Sequence, residues 1–288
     1  MHRKSVCGCT ITQIPTISVV EHHNPPRAAG AVNLSTKLLD ERSVLDNFRQ
    51  SGSLKCLFPR NSANNLEAVL LNTAGGVTGG DAFRFSAKAS EATSLSLTTQ
   101  ACERAYKSQP GAFGLVTNHL VVAPDARMNW LPQETILFNE SALDRRLRVE
   151  VSAGAEMLLV EPLVFGRSAM GETLTDVRLR DRIEVWCNGQ LAFLDTIRFS
   201  GNLNERLSKP HCANGAGAMA LVVFASSAAE GQLHTIRQML PDTAGASLVQ
   251  HDLMVIRILA KDSFLLRCEL IPVLRLLNND NLPRCWML

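Results

Sequence analysis

From Phe83 onward the chain alternates apolar and polar residues with a period of two, in short runs broken by a small or turn-forming pair and then resumed. Four such pairs stand out. Residues 83–86 and 94–97 flank Ser90-Glu91, and residues 120–122 and 128–131 flank Pro124-Asp125. Residues 147–151 and 157–160 flank Ala153-Gly154, and residues 183–186 and 191–194 flank Asn188-Gly189. Alternation on both sides of a tight turn predicts antiparallel hairpins. The turns recur roughly every 30 residues, a spacing that predicts strand pairs stacked into a long sheet, a β-helix or a sandwich. Beyond residue 200 the apolar run at 219–224 and the segment 253–259 read as two further strands. Helical spacing appears at 230–240, through Leu233, Ile236 and Leu240 ahead of Pro241. It returns at 263–277, where Leu266, Leu270, Val273, Leu274 and Leu277 form one stripe that Pro272 is expected to disturb locally.

The predicted class is therefore mainly β within α+β: stacked antiparallel or β-helix-like strand pairs, with a few helices near the C-terminus. Residues 31–288 are expected to form a single domain. Residues 1–30, with Pro15, Asn24, Pro25, Pro26 and Gly30, read as a loose arm before it. The 288 residues carry 29 Lys and Arg against 27 Asp and Glu, and this balance argues against nucleic acid or a membrane surface as the main partner. A single Tyr and three Trp leave little for base stacking. The start of the chain lacks a continuous apolar stretch, and no run is long enough to span a bilayer, so a cytoplasmic protein with reduced thiols is expected. The eight cysteines are scattered, and only Cys7-Gly8-Cys9 brings two together as a weak soft-metal candidate.

Four segments carry unusual chemistry. In the first, Gly75, Gly76, Gly79 and Gly80 precede Asp81. A phosphate cradle would need Lys and Ser or Thr after the last glycine, and a carboxylate there would repel phosphate, so a tight turn presenting Asp81 is the better reading. The second is polar at a strand end, with Thr99, Gln100 and Tyr106; the third sets Gln133 and Glu134 between apolar groups. In the fourth, Gly166, Arg167, Gly171 and Glu172 follow Glu161, and an Arg–carboxylate clamp is as good a reading as a site. No nucleophile elbow, zinc-protease motif or cysteine–histidine signature is present.

These segments resemble the urease accessory protein D family (UreD, also called UreH). The likeness rests on Gly-Gly-x-x-Gly-Gly-Asp at 75–81, Leu-Thr-Thr-Gln at 97–100 with Tyr106, Leu-Pro-Gln-Glu-Thr-Ile at 131–136, Gly-Arg-x-Ala-x-Gly-Glu at 166–172, and Pro-Arg-Cys-Trp at 283–286. Thr73 stands near where the family usually has Pro, residue 285 is normally apolar, and the first 25 or so residues exceed the usual start. The resemblance implies a non-enzymatic scaffold for nickel insertion into apo-urease. It would act in complex with accessory proteins F and G, the latter binding GTP, with nickel passing transiently through the interior and no cofactor held tightly. Scattered oxygen ligands suit such a passage, and Asp81, Glu134, Glu161 and Asp195, with Glu172 a weaker fifth, are the candidate contacts. An enzyme using Glu134 or Glu161 as general acid or base is the alternative.

Overall fold

The structure, a computed structural model, describes residues 26–60 and 64–287. Most of the expected arm, with Cys7 and Cys9, lies outside the described residues. The chain then forms β1 (Ala29–Leu39), β2 (Arg42–Gly52), β3 (Leu54–Leu57) and β4 (Leu66–Asn72). Next come β5 (Ala82–Ala89) and β6 (Ser94–Thr99), the short β7 (Glu103–Ala105), then β8 (Gly114–Val122) and β9 (Arg127–Leu131). The short β10 (Thr135–Leu137) leads to β11 (Ala142–Val151), β12 (Glu156–Phe165), β13 (Val177–Cys187) and β14 (Gln190–Gly201). The remainder is α1 (Leu203–Ser208), β15 (Ala218–Ala225), α2 (Ala229–Met239), β16 (Ala244–Gln250), β17 (Leu253–Ala260) and α3 (Ser263–Leu277).

Two sheets result. One has the order β14-β13-β11-β8-β5-β1-β2; the other runs β16-β17-β15-β12-β9-β6-β4-β3, with β10 and β7 attached beside β12. The mainly β, stacked class is as expected, but three of the four expected hairpins are not hairpins. β5 and β6, β8 and β9, and β11 and β12 each divide between the two sheets, and their strands pair parallel with the next repeat. Only β13 and β14 form an antiparallel hairpin. The physical reason lies in connection length. Two residues join β13 to β14, enough to reach a neighbouring strand about 4.8 Å away. Four residues separate the strands of each other pair, which spans the roughly 10 Å between packed sheets. Period-two alternation is the same in both cases, because either arrangement buries one face of each strand.

The weak repeat was the better signal. Phe85 lies beside Asn118, Asn118 beside Leu147, and Leu147 beside Ile183, each one strand further along the same sheet. Between the sheets, Leu120, Val149 and Val185 meet Leu97, Met128 and Leu159. The outer face of the ten-stranded sheet is covered in turn: Val160, Val222 and Ile256 pack with Ile236 of α2 and with Leu266, Leu270 and Leu274 of α3. No helix among the described residues covers the outer face of the seven-stranded sheet.

The expected strands at 219–224 and 253–259 and both expected helices are present. Against expectation, α3 runs unbroken through Pro272, which sits on its exposed side, where the carbonyl of Cys268 that loses its N–H partner can be hydrated. Strands β1 to β4 and β16 were not expected. Most of β2 is exposed on both faces, so its sequence carries no alternation to read.

Candidate functional site

The sequence motifs converge at one end of the two sheets. Gly80 takes the left-handed backbone conformation (φ 93°), and Asp81 after it accepts backbone N–H bonds from Thr78 and Ala28, both at 2.8 Å. Its carboxylate is only 5% exposed and is used up in closing the loop and fixing the start of β1. At Gly76 a Cβ would fall 2.3 Å from the Tyr106 ring and 2.7 Å from the carbonyl of Arg104, so glycine is what lets the loop lie against β7. The Tyr106 ring meets Phe138 edge-on at 5.0 Å, and the Arg167 guanidinium covers the Phe138 ring at 4.2 Å. Arg167 in turn grips Glu172 through Nε and Nη2, each partner directly preceded by a glycine, Gly166 and Gly171. Burial pushes the Glu172 carboxyl up, but bonds from Arg167 and from the backbone N–H groups of Asn139 and Arg167 bring it below its usual range. This is an Arg–carboxylate clamp, one of the two readings that the segment offered.

Beside the loop, between the sheets, lies a cavity of about 200 Å³. Leu54, Phe83, Phe85 and Leu143 supply apolar wall; Asn72, Glu103, Asn118, Gln133, Arg145 and Glu161 supply polar groups. Gly75, Thr99 and Gln100 line it as well. Glu161, 4% exposed on β12, accepts from the Trp130 indole at 2.7 Å and from Arg145 Nη1 at 2.5 Å. Arg145 reaches back to Asp181 with a two-pronged contact of 2.9 and 2.5 Å. Two acids thus share one guanidinium in the core. Burial raises the Glu161 carboxyl above its usual range, and Arg145 only partly offsets it. Burial also disfavours the charged Arg145, yet Asp181 and Glu161 outweigh this and hold its proton more tightly than usual.

Glu103 provides the second acid of the cavity, held by the Asn72 amide at 3.0 Å and by the Arg104 N–H at 3.0 Å. Burial lifts its carboxyl above the ordinary 4.5, against those two bonds. The folded state therefore binds this proton more tightly than the unfolded chain. Its contribution to stability is complete below pH 4.5 and is lost as pH rises through the folded value. Glu103→Gln is expected to match the wild type in urea unfolding near pH 4 and to exceed it at pH 8. Gln133, 6% exposed, gives its carbonyl oxygen to Arg267 at 2.8 Å, while its Nε2 has no partner among the described residues.

The remaining predicted acids stand apart from the cavity. Glu134 does not line it and pairs with Arg267 at 2.9 Å. Asp195 reaches from β14 to Arg257 on β17 at 2.8 Å, tying the two sheets together. Of the five candidates, the fold brings only Glu161 into the cavity, in company with Thr99, Gln100 and Gln133. Among the described residues, no three His, Cys, Asp or Glu side chains are grouped as a metal site.

The sequence profile of the UreD urease accessory protein family matches residues 28–287. The chain belongs to the UreD family. It is 62% identical to the urease accessory protein UreD of Ruegeria pomeroyi over 255 residues, 88% of this chain and 99% of the relative. It is 45% identical to UreD of Roseobacter denitrificans over 91% of this chain and 96% of that one. For UreD of Rhizobium etli the figures are 39%, 92% and 97%.

In this member of the UreD family, sequence reading missed three groups: Glu103, Arg145 and Asp181. A signal existed for two of them. Arg145 stands between Leu143 and Leu147, and Asp181 between Leu179 and Ile183, each a charge at an inward position of an alternating strand. The repeat register then sets Arg145 directly beside Asp181.

Proposed function

We propose that this chain serves urease maturation as a non-enzymatic scaffold that lets nickel pass toward apo-urease, in complex with accessory proteins F and G. The relatives named urease accessory protein support the maturation role. The observation that carries the passage is the cavity between the sheets, whose acids Glu103 and Glu161 lie among amide and hydroxyl oxygens. Carboxylate and carbonyl oxygens bind a borderline divalent ion less tightly than a cage of thiolates and imidazoles would, which suits cargo that must leave again. The Glu161–Arg145–Asp181 group has an acid in excess over its cation, so a passing cation would meet a favourable field. GTP binding falls to protein G in this reading, in keeping with a glycine loop here that carries Asp81 in place of a phosphate-binding Lys.

The test is nickel loading. Apo-urease reconstituted with this chain, proteins F and G, GTP and nickel is assayed by metal analysis of the isolated urease. Glu103→Gln with Glu161→Gln removes both charges, keeps side-chain size and one of the two acceptor oxygens at each position, and leaves Asp181 on Arg145; it is expected to lower loading about tenfold while the complex keeps its size. Unchanged loading would remove the cavity from the mechanism. Substrate turnover by the isolated chain, abolished by Glu161→Gln, would favour an enzyme instead.

A further inference from the structure

The seven-stranded sheet presents an outer face of a distinct kind. On β5, β8, β11, β13 and β14 the outward positions hold eight Lys and Arg against three carboxylates. The whole chain is nearly balanced, so this is a local concentration of positive charge. The three acids are already matched: Asp144 by Arg146 and Arg180, Glu150 by Arg148, and Glu184 by Arg182. Arg84, Lys88 and Arg198 are exposed and form no ion pair among the described residues. Strand pairing, parallel from β5 to β13 and antiparallel to β14, holds these side chains in rows with fixed spacing, and two stacked pairs stiffen the face further. The Arg148 guanidinium lies 4.5 Å over the Trp186 ring, and that of Arg180 lies 4.4 Å over Phe113. Exposed Leu115, Leu191 and Leu194 add apolar area between the charges.

From this arrangement we infer that the outer face of the seven-stranded sheet docks an acidic surface of a partner protein. Charge complementarity decides the class of partner. A duplex or an anionic bilayer offers uniform negative charge, and Asp144, Glu150 and Glu184 sit within the face where they would oppose it. A protein surface carries both signs and can leave gaps, or place its own cations, opposite those three acids. Preformed Arg–aromatic stacks amid flat apolar ground are the composition of interface centres, where Arg and Trp dominate the binding energy. The proposal rests on the sheet face alone and does not depend on nickel passage.

A direct probe is a 20-residue peptide of mixed sign in which Glu outnumbers Lys about two to one, titrated onto the full chain at 0.05 and 0.15 M salt beside a 20-base-pair DNA duplex and vesicles containing phosphatidylglycerol. The peptide is expected to bind best and more weakly at the higher salt. Arg84→Glu, Lys88→Glu and Arg198→Glu combined should weaken it roughly tenfold. These residues are exposed and form no ion pair among the described residues, so the triple variant should unfold in urea as the wild type does. Arg206→Glu with Lys209→Glu and Lys261→Glu makes the same charge change elsewhere and should leave binding within about twofold. Equal loss from this control, tighter binding of the duplex or the vesicles, or no binding of the peptide would each overturn the inference.

Discussion

Replacing Arg145 with Leu is expected to lower the unfolding free energy by about 3–5 kcal/mol. The substitution leaves Glu161 and Asp181 in the core at 4% and 5% exposure, with no cation between them. The cost arises from stranding charge: two ions removed from water with their shared partner gone. Glu161 already has its carboxyl raised by burial, and losing Arg145 takes away the group that lowers it. The folded variant therefore still holds, toward neutral pH, a proton that the unfolded chain has already released, so its deficit should shrink as pH falls toward 4 and grow as pH rises toward 8. Urea unfolding at the two pH values reads both effects. Replacing all three residues together with Leu should recover most of the loss, since an apolar trio strands no charge. A single Arg145→Leu variant as stable as the wild type at pH 8 would mean that the triad contributes nothing to the core.

Asp81→Ala should cost about 2–4 kcal/mol in the same measurement, because it strands two backbone N–H groups, those of Ala28 and Thr78. Asp81→Asn keeps one carbonyl acceptor and should lose about half as much. A residue whose role was to touch passing metal would behave differently: both variants would fold as well as the wild type and differ in nickel loading. The geometry favours the structural outcome, since both carboxylate oxygens are engaged at 2.8 Å by the chain's own backbone. The Gly75 to Asp81 loop then shapes the cavity, lining it at Gly75 and seating Tyr106 and β7, the strand that carries Glu103.

Much of this could be read in advance from residue pattern. Strand content, both long helices and the stacking repeat follow from periods of 2 and 3.6 and from the recurrence of turns. The clamp between Arg167 and Glu172 was readable because both ends lie in one loop, five residues apart. The cavity was not, since its polar groups come from β4, β7, β8, β11 and β12 and the loop before β10. Acids chosen for standing at strand ends, such as Asp195 and Glu134, met arginines distant in sequence, Arg257 and Arg267. Local pattern cannot show a partner more than 60 residues away.

By itself the sequence determined that the chain folds into stacked strands closed by C-terminal helices, and its motifs placed it near one family. Tertiary structure alone decided that alternating pairs cross between sheets, because a four-residue link and a two-residue link enclose the same hydrophobic pattern yet span different distances. That crossing creates an interior between two faces, and register then sets which buried charges meet there. Alternation specifies which side of a strand is apolar; only the pairing of distant strands specifies what that side confronts.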